Sequence, residues 1–158
     1  MRTLVILMGR CNVGKTTTLR KLQRLLEDNG FKFHKRSRSN CPCLIRNSES
    51  VVIGMNGDDE GNIQGNFRVF EKHKATVCIT ATRTFGLCSE VALQDELSKC
   101  AKDFKQIVYI IKRGVAKDKQ EYANQHMAEK IYEGVKTVLD GRKFAIRDVQ
   151  RATVITEL

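Results

Sequence analysis

Leu4-Val5-Ile6-Leu7-Met8 runs directly into Gly9-Arg10-Cys11-Asn12-Val13-Gly14-Lys15-Thr16, and a helical pattern follows from Thr17. The apolar run has the length and composition of a strand buried on both faces. The eight residues after it fit GxxxxGK[ST], a pattern in which glycines let successive backbone N–H groups turn inward around an anion. The helix behind the loop brings the positive end of its dipole to the same point. On this spacing Lys15 reaches the β- and γ-phosphates of a nucleoside triphosphate, and the Thr16 hydroxyl ligates Mg²⁺. Strand, loop and helix in immediate succession therefore predict an α/β fold. They make Gly9, Arg10, Cys11, Asn12, Val13, Gly14, Lys15, Thr16 and Thr17 the candidate nucleotide-binding residues.

Outward from this stretch the chain alternates strand and helix patterns. Residues 15–29 read as a helix with Leu19, Leu22 and Leu26 on one face, stopped at Asn29-Gly30. A short strand over 31–34 is followed by a polar, basic and mobile segment over 35–50. Strands are expected over 51–55, 75–81 and 106–111, and a short helix over 67–73. Ser89 is the expected cap of a helix reaching residue 103, with Leu93, Leu97, Cys100 and Phe104 at helical spacing. A long helix over 118–139 carries Ala128, Ile131, Val135 and Val138 on its stripe and ends at Asp140-Gly141, and 144–155 is a candidate last strand. This alternation predicts one domain over 1–158, a three-layer sandwich with a mostly parallel central sheet. Ligands in such sheets bind beyond the carboxyl ends of the strands.

The 158 residues suffice for one domain with its own core. No run of 18 apolar residues occurs, which excludes a spanning helix on the hydropathy pattern. The apolar start is too short for a secretory leader and meets the glycine loop at once, so the expected compartment is cytoplasmic. Cys11, Cys41, Cys43, Cys78, Cys88 and Cys100 are then expected as free thiols, with Cys78 and Cys100 in the core. Cys41 and Cys43 with His34 or His73 make a weak zinc candidate, set against two thiols in a loop. The net charge of +10 attracts polyanions, nucleoside phosphates and nucleic acid alike. Lys32, Lys35, Arg36, Arg38 and Arg46 concentrate that charge without the interleaved aromatic pattern that stacks bases; Phe31 and Phe33 flank the cluster but also fit a short strand.

A bound triphosphate needs a carboxylate to orient its metal, usually at the end of a neighbouring strand. Asp58 is the first candidate and Asp59 the second, with Glu60 as a water-orienting base. Arg83 ends the following strand, where an arginine stabilises charge on a transferring phosphoryl group or clamps a second anion. The candidate catalytic set is therefore Lys15, Asp58, Asp59 and Arg83, and the candidate metal ligands are Thr16 and Asp58. Lys112-Arg113-Gly114, with Lys117 and Lys119 beyond, is a candidate lid.

These residues resemble the P-loop NTPase superfamily, closely over the first strand, loop and helix and loosely thereafter. The loop at 9–16 is similar to the GRxNVGK[ST] loop of ribosome-assembly-type GTPases, and Asp58-Asp59-Glu60-Gly61 matches their DxxG motif. Their guanine-selecting NKxD is replaced by Ile111-Lys112-Arg113-Gly114, which favours an adenine nucleotide. Gly14-Lys15-Thr16-Thr17 and the leucines behind it also resemble the opening helix of thymidylate-kinase-like nucleotide kinases. Arg83 stands where that family has an Asp-Arg pair, with Thr82 in place of the Asp, and Arg36 or Arg38 would meet an acceptor phosphate.

The resemblance implies an Mg²⁺-dependent, ATP-binding NTPase that hydrolyses or transfers the γ-phosphoryl group, in the manner of a small phosphotransferase. Its partners would be a nucleoside triphosphate and a second phosphate-bearing small molecule, with no membrane. The alternatives are a switch-type, GTPase-like regulator acting through a partner, and a nucleic-acid-associated ATPase.

Overall fold

A computed structural model of the chain describes residues 2–84, 87–146 and 154–157. Its strands are β1 (Thr3–Gly9), β2 (Lys32–Phe33), β3 (Cys43–Arg46), β4 (Glu49–Gly54), β5 (Val77–Arg83), β6 (Gln106–Ile111) and β7 (Val154–Glu157). The helices are α1 (Lys15–Asp28), α2 (Glu60–His73), α3 (Leu87–Cys100) and α4 (Gln120–Leu139). The strands form one sheet in the order β2-β3-β4-β5-β1-β6-β7.

The sheet is mixed rather than mostly parallel. β4, β5, β1 and β6 run parallel at its centre. β2 and β3 are antiparallel additions at one edge, and β7 is one at the other. The parallel centre follows from the crossover helices, because a parallel neighbour can be reached only by a long connection. The antiparallel edge arises where 35–50 was expected as a mobile segment. Cys43–Arg46 pairs with Glu49–Gly54 across a two-residue turn at Asn47 and Ser48, with Asn47 in the left-handed region at φ 54°. The loop before it is tied to β4 by Ile53 N–H donating to Pro42 O and Met55 N–H donating to Asn40 O, each at 3.0 Å.

Side-chain alternation along β1 builds both faces of the core. Val5 and Leu7 join Leu19, Leu22 and Leu26 of α1 and Ala128, Ile131 and Val135 of α4. Leu4 and Ile6 join Ile63, Phe67 and Phe70 of α2 and Leu93 and Leu97 of α3. Helices thus cover both faces of the sheet. Each fully buried leucine contributes roughly 1.5–3 kcal/mol.

Three local expectations are corrected. The helix expected over 67–73 begins seven residues earlier, at Glu60, because the Asp59 carboxylate accepts from Asn62 N–H at 2.8 Å and starts it there. Ser89 is not a cap but a buried residue inside α3. Of the two thiols expected in a loop, Cys43 opens β3 and Cys41 sits in the loop before it. Both are buried in the core beneath α2, where burial pushes the Cys41 thiol up to about 12. Cys78 and Cys100 are buried as expected. Part of the last expected strand, 147–153, lies outside the described residues. No described helix is long and apolar enough to cross a membrane.

Candidate functional site

The parallel register brings the carboxyl ends of β1, β5 and β6 together. Gly9 stands opposite Arg83, and Gly9 O accepts from Thr84 N–H at 3.2 Å. Lys112, the residue after β6, donates its N–H to Met8 O at 2.7 Å. The loop after β1 leaves this edge and turns into α1.

Asn12 at φ 60° and Gly14 at φ 83° are left-handed, with right-handed-side residues between and around them. Alternation of that kind curls successive N–H groups toward one concavity, which is how backbone alone makes an anion nest. Gly14 ends as the residue before α1, and its carbonyl accepts the helix's first bond, from Thr18 N–H at 2.9 Å. Two contacts with α4 hold the loop from behind. Gln120 Nε2 donates to Asn12 O at 3.1 Å, and Asn124 packs against Gly14.

Lys15 is buried and lies across the loop, its ammonium donating to Gly9 O at 2.9 Å and Arg10 O at 2.8 Å. Burial lowers its pKa, and Asp58 opposes that shift. Lys112 is 3 % exposed, with its pKa lowered by burial and by Lys15. It shares strand parity with Val108 and Ile110, which face α1 and α4, so the pleat turns it to the side of the sheet that carries the loop. No acceptor for its ammonium occurs among the described residues. Lys15, on the loop, and Lys112, after β6, are two buried cations at one edge of the sheet; burial favours their neutral forms, and an anion between them would favour the charged ones.

The acidic partner comes from the turn after β4. Gly57 passes so close to β5 that a Cβ there would stand 1.6 Å from Ala81 O, and the turn therefore requires glycine. That approach sets Asp58 against Arg83, whose Nε donates to Asp58 Oδ1 at 2.9 Å, and the carboxylate raises the Arg83 pKa. Arg83 shares strand parity with Ile79 and Ala81, on the α1 side. Thr16 Oγ1 donates to Met55 O at 3.3 Å.

The loop 9–16, Asp58, Arg83 and Lys112 are therefore gathered at one edge. Asp59 is close in sequence but otherwise engaged, as the α2 cap with Asn62 Nδ2 also donating to its Oδ2 at 2.7 Å. Glu60 accepts from Gln64 Nε2 at 2.8 Å on the exposed first turn of α2. Arg36 opens onto a recess at the β2 edge, four positions from β1 in the sheet, about 19 Å away at the usual strand spacing. In the segment proposed as a lid, Lys112 is buried and Lys117–Lys119 forms a short 3-10 turn leading into α4.

Among the described residues no three His, Cys, Asp or Glu side chains are grouped to hold a metal, which removes the zinc candidate built on Cys41, Cys43, His34 and His73. A divalent cation beside the loop would need fewer protein ligands, since Mg²⁺ keeps waters and takes phosphate oxygens. Thr16 and Asp58 fit that requirement: one hydroxyl beside the β4 end, and one carboxylate held only by an exposed ion pair.

Sequence reasoning did not single out Asn124 or the groove beside α1. That groove, about 350 Å³, is lined by Arg20, Arg24, Glu27, Asn40, Met55 and Asn56 among others. Arg20 and Arg24 follow Thr16 at four-residue steps, and that spacing was the available signal. No known family model matches this sequence, and comparison with curated proteins and with solved structures found no significant match.

Proposed function

We propose that the chain is a P-loop phosphotransferase or NTPase that binds a nucleoside triphosphate, ATP by preference, with Mg²⁺. The single observation that carries this reading is the pair of buried lysines, Lys15 and Lys112, beside a left-handed loop at a helix start. Lys15 has two backbone carbonyls as acceptors and Lys112 has none among the described residues, so packing alone does not account for two buried ammonium groups at this edge. A polyphosphate supplies the missing charge, and its oxygens replace the two carbonyls that now accept from Lys15.

In this reading the loop amides and Lys15 hold the β- and γ-phosphates. Lys112 meets charge on the same chain of phosphates from the β6 side. Thr16 and Asp58 would hold Mg²⁺, which would supply neutralising charge to the phosphate oxygens. Arg83 leaves Asp58 and turns to the transferring group. Catalysis is then positioning and charge neutralisation, with no covalent enzyme intermediate.

The groove lined by Arg20 and Arg24, with Glu27 at the same wall, favours transfer to a second phosphate-bearing small molecule over hydrolysis alone. Neither arginine has an ion-pair partner among the described residues, and Met55, whose carbonyl accepts from Thr16 Oγ1, lines the groove with them. One observation favours the switch-type alternative. The exposed Asp58–Arg83 pair must open for both residues to serve a γ-phosphate, as a nucleotide-sensing latch would.

The test is incubation with γ-labelled ATP and Mg²⁺, alone and with a panel of nucleoside monophosphates. Labelled product that requires both the acceptor and Arg24 supports transfer. Slow release of inorganic phosphate, unaffected by every acceptor, supports the switch. No ADP under any condition contradicts both.

A further inference from the structure

We infer that the β2 edge is a binding site for single-stranded nucleic acid, centred on Phe33. Residues 31–46 contain Lys32, Lys35, Arg36, Arg38 and Arg46 and no Asp or Glu. Phe31, just before β2, is buried under the Arg46 guanidinium, whereas Phe33, at the end of β2, is 50 % exposed. Phe33 lines an open recess with Lys32, His34, Lys35, Arg36 and Ile45. A second recess shares His34, Arg36 and Ile45 and extends the basic surface to Lys72 and His73.

The charge here is not internally compensated. Among the described residues Lys32, Lys35, Arg36 and Lys72 have no ion-pair partner, while nearby Glu49 is taken by Arg46 and Glu71 by Arg2. Phe33 is one of three large apolar side chains left exposed among the described residues.

Edge protection accounts for a lysine on a two-residue edge strand, but not for the aromatic ring beside it, which invites unwanted pairing. A half-exposed ring set among uncompensated cations is instead the combination that binds single strands. The ring takes the face of an unstacked base, and the cations track the backbone. A duplex offers the cations its phosphates but offers Phe33 no free base. The site is separate from the phosphate loop and does not depend on the nucleotide reading.

The test is fluorescence anisotropy of labelled oligo-dT and oligo-U, with a mixed-sequence duplex of equal length, over a salt series without nucleotide. Single strands are expected to bind more tightly than the duplex. Phe33→Ala is expected to weaken single-strand binding roughly 5- to 150-fold, and Phe33→Tyr to preserve it. Lys35→Ala with Arg36→Ala is expected to flatten the log–log salt slope by about 1.4. Circular dichroism identifies any variant that fails to fold, and Phe33→Tyr then keeps the comparison valid. Equal binding of duplex and single strand, or wild-type affinity in folded Phe33→Ala, overturns the proposal. So does tighter binding to phosphatidylserine vesicles than to either oligonucleotide.

Discussion

The side-chain amide of Asn124, on α4, fills the space in which residue 14 would carry a Cβ: a methyl group there would stand 2.3 Å from Asn124 Oδ1. The same oxygen accepts from Thr18 Oγ1 at 3.4 Å, so one asparagine supports both the loop and the first turn of α1. Gly14 is fixed twice over, by its φ of 83° and by this contact.

Gly14→Ala is therefore expected to destabilise the protein by at least about 1–2 kcal/mol from the backbone alone, with the overlap on Asn124 added. Asn124→Ala is expected to cost about 1 kcal/mol for its lost hydrogen bond. Combined, the two changes should cost less than their sum, because the smaller side chain makes room for the methyl group. Urea unfolding of the four proteins in the cycle checks this. Additive losses would mean that the contact does not constrain the loop.

Asp58 and Asp59 are adjacent, and their variants should behave in opposite ways. Asp58→Asn removes an exposed ion pair, so its melting temperature should stay near wild type while Mg²⁺-dependent turnover falls. Asp59→Ala removes the α2 cap, so about 0.5–2 kcal/mol of stability should be lost with turnover largely retained. Thermal melts and ADP release, measured side by side, separate the two. A turnover loss confined to Asp59→Ala would reverse their roles.

Lys112→Met should raise the stability of the nucleotide-free protein, because an unpaired buried charge is replaced by an apolar chain of similar length. It should also weaken ATP binding about ten-fold or more, the range for a charge-assisted hydrogen bond. A variant that is less stable, or binds ATP as wild type does, would show that Lys112 serves packing alone.

The same lysines set a pH dependence. Burial lowers the pKa of Lys15 and Lys112 below the ordinary 10.5, so the folded protein releases these protons at lower pH than the unfolded chain does. In the window between the lowered values and 10.5 the unfolded chain holds more protons, and these two groups add stability as pH rises. Denaturation midpoints across that window should therefore rise more, or fall less, in wild type than in Lys112→Met. Parallel curves would count against a buried charge at 112.

The first strand, the glycine-bounded loop at 9–16 and α1 were legible because three strong signals stand in succession, and local pattern decides each of them. The same holds for β6 and α4. Residues 43–46 were not legible as a strand, because four residues beside a proline and two cysteines carry too short an alternation. Asn47, tolerant of positive φ, was the turn signal, and only pairing with β4 gave it meaning. The mixed sheet was missed for that reason, since the parallel expectation assumed one helix per strand. At the site, Asp58 and Arg83 were legible from strand ends, but their contact depends on how closely Gly57 approaches Ala81. Lys112 read as one lysine in a basic segment, whereas its burial follows from sharing parity with Val108 and Ile110 across the finished sheet.

Isothermal titration of MgATP into wild type and Lys15→Ala tests the central claim most directly, with circular dichroism confirming that both are folded. Saturable binding at one site is expected for the wild type. The variant should bind at least about 100-fold more weakly, because the ammonium that now spans Gly9 O and Arg10 O is the loop's principal charged donor. Equal affinity in the two proteins, or no heat of binding in the wild type, would contradict a triphosphate held by residues 9–16.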